Sequence, residues 1–80
     1  MARYFFDTRD DSHFVRDEDG IELECLEEAR DEATRGLADM ARDALPGVTR
    51  RELAVEVRDE SDFPILRAAL WFEVALIAAV

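Results

Sequence analysis

The chain has 80 residues, with twenty acidic side chains, ten basic ones and a formal net charge of −10. That charge argues against nucleic-acid partners, because a phosphate backbone is bound by clustered cations. One cysteine and one histidine supply neither a disulfide nor a Cys/His metal framework, so we expect no cofactor and no metal. The length predicts a single domain over residues 1–80 with a thin core. Without a disulfide or a metal, oligomerisation is the remaining way to stabilise such a core.

The two ends of the chain carry no pattern typical of a membrane protein. Residues 1–6 lack the long apolar stretch and cleavage site of a secretory signal. Residues 68–80 are apolar except for Glu73, but they fall short of the roughly 20 residues that span a bilayer. We therefore expect a cytoplasmic protein with no membrane partner.

The first part of the chain predicts a hairpin. Residues 3–7 are aromatic-rich, which favours a central strand, and residues 13–16 form a second strand after a turn at 10–12. Residues 17–20 are a second turn, with Gly20 at the position of positive φ. Residues 21–23 alternate in polarity and extend the edge of the sheet.

Residues 26–45 predict the one helix. Apolar side chains recur there every three or four residues on one stripe, namely Leu26, Ala29, Ala33, Leu37, Met40, Ala41 and Ala44. The opposite face is charged, and Arg35 stands four residues from both Asp31 and Asp39, the spacing of helical ion pairs. Pro46 ends the helix. Gly36 lies inside it, and close packing on a strand is one reason for a glycine there.

The last part of the chain predicts two more strands, over residues 52–59 and 65–75. In the first of them Leu53, Val55 and Val57 alternate with polar or small residues, so one face packs on the core. The fold class is therefore α+β with the order ββαββ. Numbered along the chain, the strands form an antiparallel sheet in the order 2-1-3-4 with the helix on one face.

Candidate catalytic and metal-binding patterns are weak. The acidic run around residues 17–20 does not fit a calcium loop, because placing Gly20 at the sixth position leaves Val15 and Leu26 at the first and twelfth. His13 and Cys25 have no sequence context that pairs them, and Cys25 is favoured as a small residue that docks the first helical turn over a reactive thiol. The inventory argues against an enzyme without excluding one, and we assign no catalytic, cofactor-binding or metal residue.

The second face of the sheet is the candidate site, since one helix covers only one face. Strand alternation places an aromatic and apolar patch there, bordered by charges that include Arg3 and Glu56. The predicted interface residues are Phe5, Ala54, Ala69, Trp71, Arg67 and Glu73. An apolar centre with a charged rim is typical of a protein interface. We expect a twofold homodimer through this face or along an edge beside it, with the apolar tail, residues 74–80, in the same contact.

Four segments together resemble a family of small uncharacterised proteobacterial proteins common in rhizobia. They are residues 3–7 (RYFFD), 17–20 (DEDG), 26–30 (LEEAR) and 52–59 (ELAVEVRD). The resemblance implies a bacterial cytosolic origin and supplies no catalytic residues, because the family has no established activity. The apolar tail departs from the charged or short ends expected of it.

Residues 17–20 and 26–29 are also similar to HicB-type antitoxin domains, in which a D-x-x-G turn and an LEEA helix start follow strands in a similar order. Three classes of function therefore stay open. They are a self-associating interaction or regulatory module, an antitoxin-like binder of another protein, and a small enzyme or ligand-binding domain. The exposed apolar face favours the first.

Overall fold

Residues 1–78 are described by the computed structural model, and they form one helix and an antiparallel sheet of five strands. The predicted α+β class is confirmed. In chain order the elements are β1 (Ala2–Asp10), β2 (His13–Val15), β3 (Ile21–Leu23), α1 (Leu26–Ala44), β4 (Arg50–Arg58) and β5 (Pro64–Glu73).

The prediction of four strands was wrong in detail, because two short strands share one edge of β1. The sheet order is β2-β1-β4-β5, and β3 also pairs with β1. Val15 of β2 lies opposite Thr8, whereas Leu23 of β3 lies opposite Ala2 at the other end of β1. Residues 16–20 leave the edge between them. The turn therefore separates two short strands, β2 and β3, that pair with different ends of the same edge of β1.

The core lies between α1 and one face of the sheet. Ala29 and Ala33 of the helix are fully buried, and they pack with Val55 and Val57 of β4. Alanine has no side chain beyond Cβ, so these positions allow the helix backbone to approach the sheet closely. Partly buried side chains complete the cluster, namely Tyr4, Phe6, Leu23, Leu37, Met40, Ile65, Leu66 and Ala68.

The helix phase is largely as predicted, with Arg35 and Asp39 on the exposed face. Leu26 is an exception, because it is 48% exposed at the first turn. The expected ion pairs between residues four apart do not form. Ion pairs between residues three apart form instead, Arg35 with Glu32 and Arg42 with Asp39. Both spacings bring side chains together on a helix surface, so the charged face is retained with different partners.

Close packing does not explain Gly36. A Cβ built on it would lie 4.0 Å from Cγ2 of Val55, an ordinary van der Waals contact.

Backbone and side-chain groups next to α1 set the two ends of the helix. Cys25 is the N-cap but makes no capping side-chain bond, while the Glu28 carboxylate accepts a hydrogen bond from the Glu24 N–H at 2.9 Å. Gly47 follows the helix with a φ of +89°.

The sheet ends at β5, whose outer edge is unpaired within residues 1–78. Ala54 of β4 lies opposite Ala69, and the regular register continues as far as Glu73 opposite Arg50. Near the start of β5 the register shifts between Val57 and Arg58. In the described part of the chain, no helix has both the length and the apolar character needed to cross a membrane.

Candidate functional site

The six predicted interface residues do not share one exposed patch. Ala54 is 1% exposed between the neighbouring strands. Phe5 is half-buried, and the guanidinium carbon of Arg58 stands 4.6 Å from the centre of its ring. The other four all belong to β5 and are exposed, namely Arg67, Ala69, Trp71 and Glu73. The accessible part of the candidate interface is therefore the edge strand.

Ionic contacts cross the second face of the sheet. Each carboxylate oxygen of Glu56 accepts a hydrogen bond from an arginine Nε at 3.1 Å. One donor is Arg9 on β1 and the other is Arg67 on β5. Further along the same face, Arg50 of β4 contacts Glu73 at 3.0 Å. Strand alternation predicted charged residues here as a rim, but the register places Glu56 between two cations and makes the centre a charged row.

Large apolar side chains are exposed at both ends of β5 and beyond it. Trp71 is 75% exposed and Phe63, just before the strand, is 66% exposed. Val74, Leu76 and Ile77 follow the strand and are also exposed, Ile77 completely. We call these five residues together with Ala69 the β5 surface. The rest of the predicted tail contact, residues 79 and 80, lies outside the described residues.

The backbone of β5 offers hydrogen bonds along its outer edge. The Val74 N–H donates to the Thr49 carbonyl at 2.8 Å, so residue 74 directs its polar groups toward β4. Backbone groups alternate in direction along a strand, so even-numbered residues of the regular part of β5 face β4. Arg67, Ala69, Trp71 and Glu73 therefore turn their N–H and C=O groups outward, where no described strand receives them.

A shallow groove of about 370 Å³ lies at the end of the sheet, between Trp71, Phe72 and Arg51. Arg51 forms a bidentate contact with Asp10, at 2.6 Å from Nε and 3.2 Å from Nη2. The hydrogen bond to Asp10 raises the pKa of Arg51 and keeps the guanidinium charged. The groove has an aromatic side and a cation that is already neutralised.

A buried ion pair, which we did not predict from the sequence, fixes the turn against the sheet. Arg58 Nε donates to Asp7 Oδ2 at 2.9 Å, and both side chains are less than a tenth exposed. The same guanidinium donates to the Asp17 carbonyl at 2.6 Å and to Asp62 at 2.7 Å. The hydrogen bond to Asp7 raises the pKa of Arg58. Each of the three guanidinium nitrogens donates to an acceptor within the chain, so a structural role is sufficient to explain Arg58.

Asp17 takes the place of a strand along the interrupted edge of β1. Its carboxylate accepts the Phe6 N–H at 3.0 Å and the N–H groups of Asp19 and Gly20 at 3.0 and 3.2 Å. Burial raises the pKa of Asp17, but these three donors and Arg58 outweigh burial, so the net pKa lies below its usual value. Residues 17–20, the turn similar to the D-x-x-G turn of antitoxin domains, are therefore held by hydrogen bonds within the chain.

The only histidine and the only cysteine of the sequence lie at opposite ends of β1. His13 is opposite Asp10, whereas Cys25 follows β3, whose Leu23 is opposite Ala2. Nine strand residues span roughly 25 Å, too far for a thiol and an imidazole to exchange a proton. Among residues 1–78, no three His, Cys, Asp or Glu side chains are grouped to hold a metal ion.

Comparison with known protein families shows to which of them the chain is similar. The model of a domain of unknown function, DUF6894, matches residues 3–71, a range that contains the helix and all but the outermost residues of the sheet. No curated protein and no solved structure matches the chain. The chain therefore belongs to the DUF6894 family, whose function is unknown.

Proposed function

We propose that this protein is a small self-associating interaction module, a homodimer in which the β5 surface is the contact. The observation that carries the proposal is the set of large apolar side chains exposed on and around one edge strand, led by Trp71 and Ile77. Several large apolar side chains exposed along one unpaired strand favour an interface, whereas a single exposed one is common on any surface.

The small core supports the same proposal. Few side chains are fully buried, and the two largest of them are Leu53 and Val57. Cys25 is free and exposed, so no disulfide adds stability. Small domains without such staples commonly gain stability by association. A module of this kind acts by presenting a surface to a partner, and the first partner is a second copy.

A pair of apolar-to-acidic variants tests the proposal. Trp71→Glu places a charge in the β5 surface and should reduce the dimer to the monomer or unfold it. Leu26→Glu is the matched control, because Leu26 is also exposed but lies at the helix start, where an acidic residue suits the helix dipole. Sedimentation velocity at matched concentrations measures the mass. Equal masses for both variants and the unchanged protein would contradict the proposal.

A small ligand-binding domain is the second candidate, and the groove beside Trp71 favours it. Its volume of about 370 Å³ is within the range that small-molecule sites occupy. Binding there should quench the fluorescence of Trp71, the only tryptophan. A screen of small aromatic compounds, monitored by Trp71 emission, tests this candidate, and no change across the screen would count against it.

An antitoxin-like role rests on residues 17–20 and 26–29 and stays a prediction. Both segments have local structural duties here, since Asp17 holds the turn and Glu28 holds the helix start. The proposal therefore assigns no partner-binding role to them.

We keep the cytoplasm of a bacterium as the proposed location. We propose neither nucleic acid nor membrane as a partner, because the net charge of −10 disfavours contact with anionic surfaces.

A further inference from the structure

The outer edge of β5 is open in a way that protein edges usually avoid. Exposed edge strands are generally short, or interrupted by charges, proline or bulges. The regular part of β5 from Leu66 to Phe72 contains one charged side chain, Arg67, and proline only at position 64, before it. Its outward N–H and C=O groups can receive another strand.

Backbone direction restricts how two copies of β5 can pair. In a twofold antiparallel pair, residues with outward groups must stand opposite residues with outward groups. Those are the odd-numbered residues, so the two numbers in each facing pair must add to an even total. The twofold axis then passes beside one residue of β5 and not between two residues.

Charge and size choose which residue lies on the axis. Arg67 and Glu73 stand three residues on either side of Leu70. An axis at Leu70 places Arg67 opposite the partner's Glu73 and repeats that pair by symmetry. The same register places Ala69 opposite the partner's Trp71, a small side chain against a large one. Shifting the axis to Ala69 or Trp71 loses both ionic pairs.

We propose that β5 pairs with β5 of a second copy, antiparallel and with the twofold axis at Leu70, so that the two sheets become one continuous sheet. This deepens the proposed function and rests on self-association being real. The charged row is then extended with alternating sign, because Arg67 between Glu56 and the partner's Glu73 has an anion on each side. Opposite charges on facing strands stabilise a sheet.

The register also accounts for the exposed apolar residues beyond the strand. Val74 comes to lie opposite the partner's Leu66, so the apolar tail that follows β5 begins beside the start of the partner's strand, near its Phe63. Both Phe63 and Ile77 are largely exposed in one copy. Pairing at Leu70 therefore lets the tail of each copy cover apolar surface at the strand start of the other.

A disulfide across the axis tests the register. In a Cys25→Ser background, Leu70→Cys places two thiols on a facing pair whose Cα atoms are about 4.5 Å apart, within disulfide range. Ala69→Cys is the matched control, since its two Cα atoms would be about 8 Å apart and beyond bridging. Oxidation followed by non-reducing electrophoresis should give covalent dimer for Leu70→Cys only. A dimer in sedimentation that forms no Leu70→Cys bridge would overturn the register but keep the proposed function, and a monomer would overturn both.

Charge exchange gives a second test that needs no thiol in the strand. Arg67→Glu alone sets two carboxylates against each other across the strand pair, and Glu73→Arg alone sets two guanidinium groups together, so each variant should dimerise roughly tenfold more weakly. Mixing the two variants restores opposite-charge pairing in a heterodimer. Sedimentation of the equimolar mixture should therefore show dimer at concentrations where neither variant alone does. A mixture that behaves as the average of its two components would overturn the register, with circular dichroism confirming that both variants are folded.

Discussion

Asp7 and Arg58 form a buried ion pair across the two central strands, with 2.9 Å between Oδ2 and Nε. The pair joins β1 to β4, and the other nitrogens of Arg58 reach the turn at Asp17 and the loop at Asp62. One arginine of β4 therefore binds the neighbouring strand, the turn after β2 and the loop that follows its own strand. Its removal affects the edge of the sheet and the turn together.

Replacing Asp7 with Ala should lower the melting temperature by about 10 °C or more, because a guanidinium enclosed by the fold loses its carboxylate. Asp39→Ala is the matched control. Asp39 also contacts an arginine at 3.0 Å, but both side chains are exposed. Exposed pairs contribute little, so this variant should melt within about 3 °C of the unchanged protein. Thermal unfolding monitored by circular dichroism measures both melting temperatures. An equal fall for the two variants would show that the buried pair stabilises the fold no more than an exposed pair does.

The stability contributed by Asp17 should depend on pH. Burial raises its folded pKa, but the bonds from Phe6, Asp19 and Gly20 outweigh burial, so the net pKa is lowered. The contribution is then fully present above the unfolded-state pKa of about 3.9 and is lost as pH falls through the lower folded pKa. Asp17→Asn should therefore melt below the unchanged protein at pH 7, and the gap should narrow as the pH falls below the unfolded-state pKa.

Melts over a pH series measure that gap. Asp31→Asn on the exposed helix face is the control, because it removes one carboxylate that lies outside the turn. A gap for Asp17→Asn that stays constant down to about pH 2.5 would mean that the ionised carboxylate is not what holds the turn.

The three glycines predict three different responses to alanine. At Gly20 the φ is +74° and a Cβ would stand 2.9 Å from both Cγ of Arg3 and Cε1 of Phe5, so substitution adds backbone strain and a clash. Gly47 has a φ of +89° with open space around it, which leaves backbone strain of about 1 to 2 kcal/mol alone. Gly36 has neither obstacle, so Gly36→Ala should stabilise the helix by up to about 1 kcal/mol.

Urea unfolding of the three variants should therefore rank Gly36→Ala above the unchanged protein, then Gly47→Ala, then Gly20→Ala. Gly47→Ala separates the two costs at Gly20, since it shares the positive φ without the contacts. A Gly20→Ala variant no less stable than Gly47→Ala would show that the packing against Arg3 and Phe5 is not limiting.

Replacing Leu37 with Ala should cost about 2 kcal/mol, the lower end for such truncations, because Leu37 is half-buried against the core cluster. Ala38→Gly on the exposed face is a useful contrast, since it should lose only the helix propensity of about 1 kcal/mol. Urea midpoints with unchanged slopes measure both free energies of unfolding. A loss below about half a kcal/mol for Leu37→Ala would mean that the helix presents a different face to the sheet.

Local periodicity predicted most of the fold. The alternation of Leu53, Val55 and Val57 identified β4 and its buried face, and the helical stripe through Ala29 and Ala33 identified the buried face of α1. Both signals are contained within one element. The division of the β1 edge was missed because it depends on the Asp17 carboxylate replacing a strand, a contact between residues eleven apart.

The candidate site was only partly predictable for the same reason. Alternation placed Phe5, Ala54 and Trp71 on one face, but it carries no information about which neighbours cover them. That depends on register, which stacks Arg58 on Phe5 while Trp71 stays open at the edge. The charge-poor run of residues 68–72 pointed the other way, because an exposed edge strand usually carries charges or proline.

The mass of the unchanged protein in solution tests the central claim, self-association through β5, most directly. Size-exclusion chromatography with light scattering at high micromolar concentration should give twice the chain mass of 9.1 kDa, falling toward that value on dilution. A constant mass of 9.1 kDa over the whole concentration range would contradict the account, because the exposed residues of the β5 surface would then have no second copy to cover them.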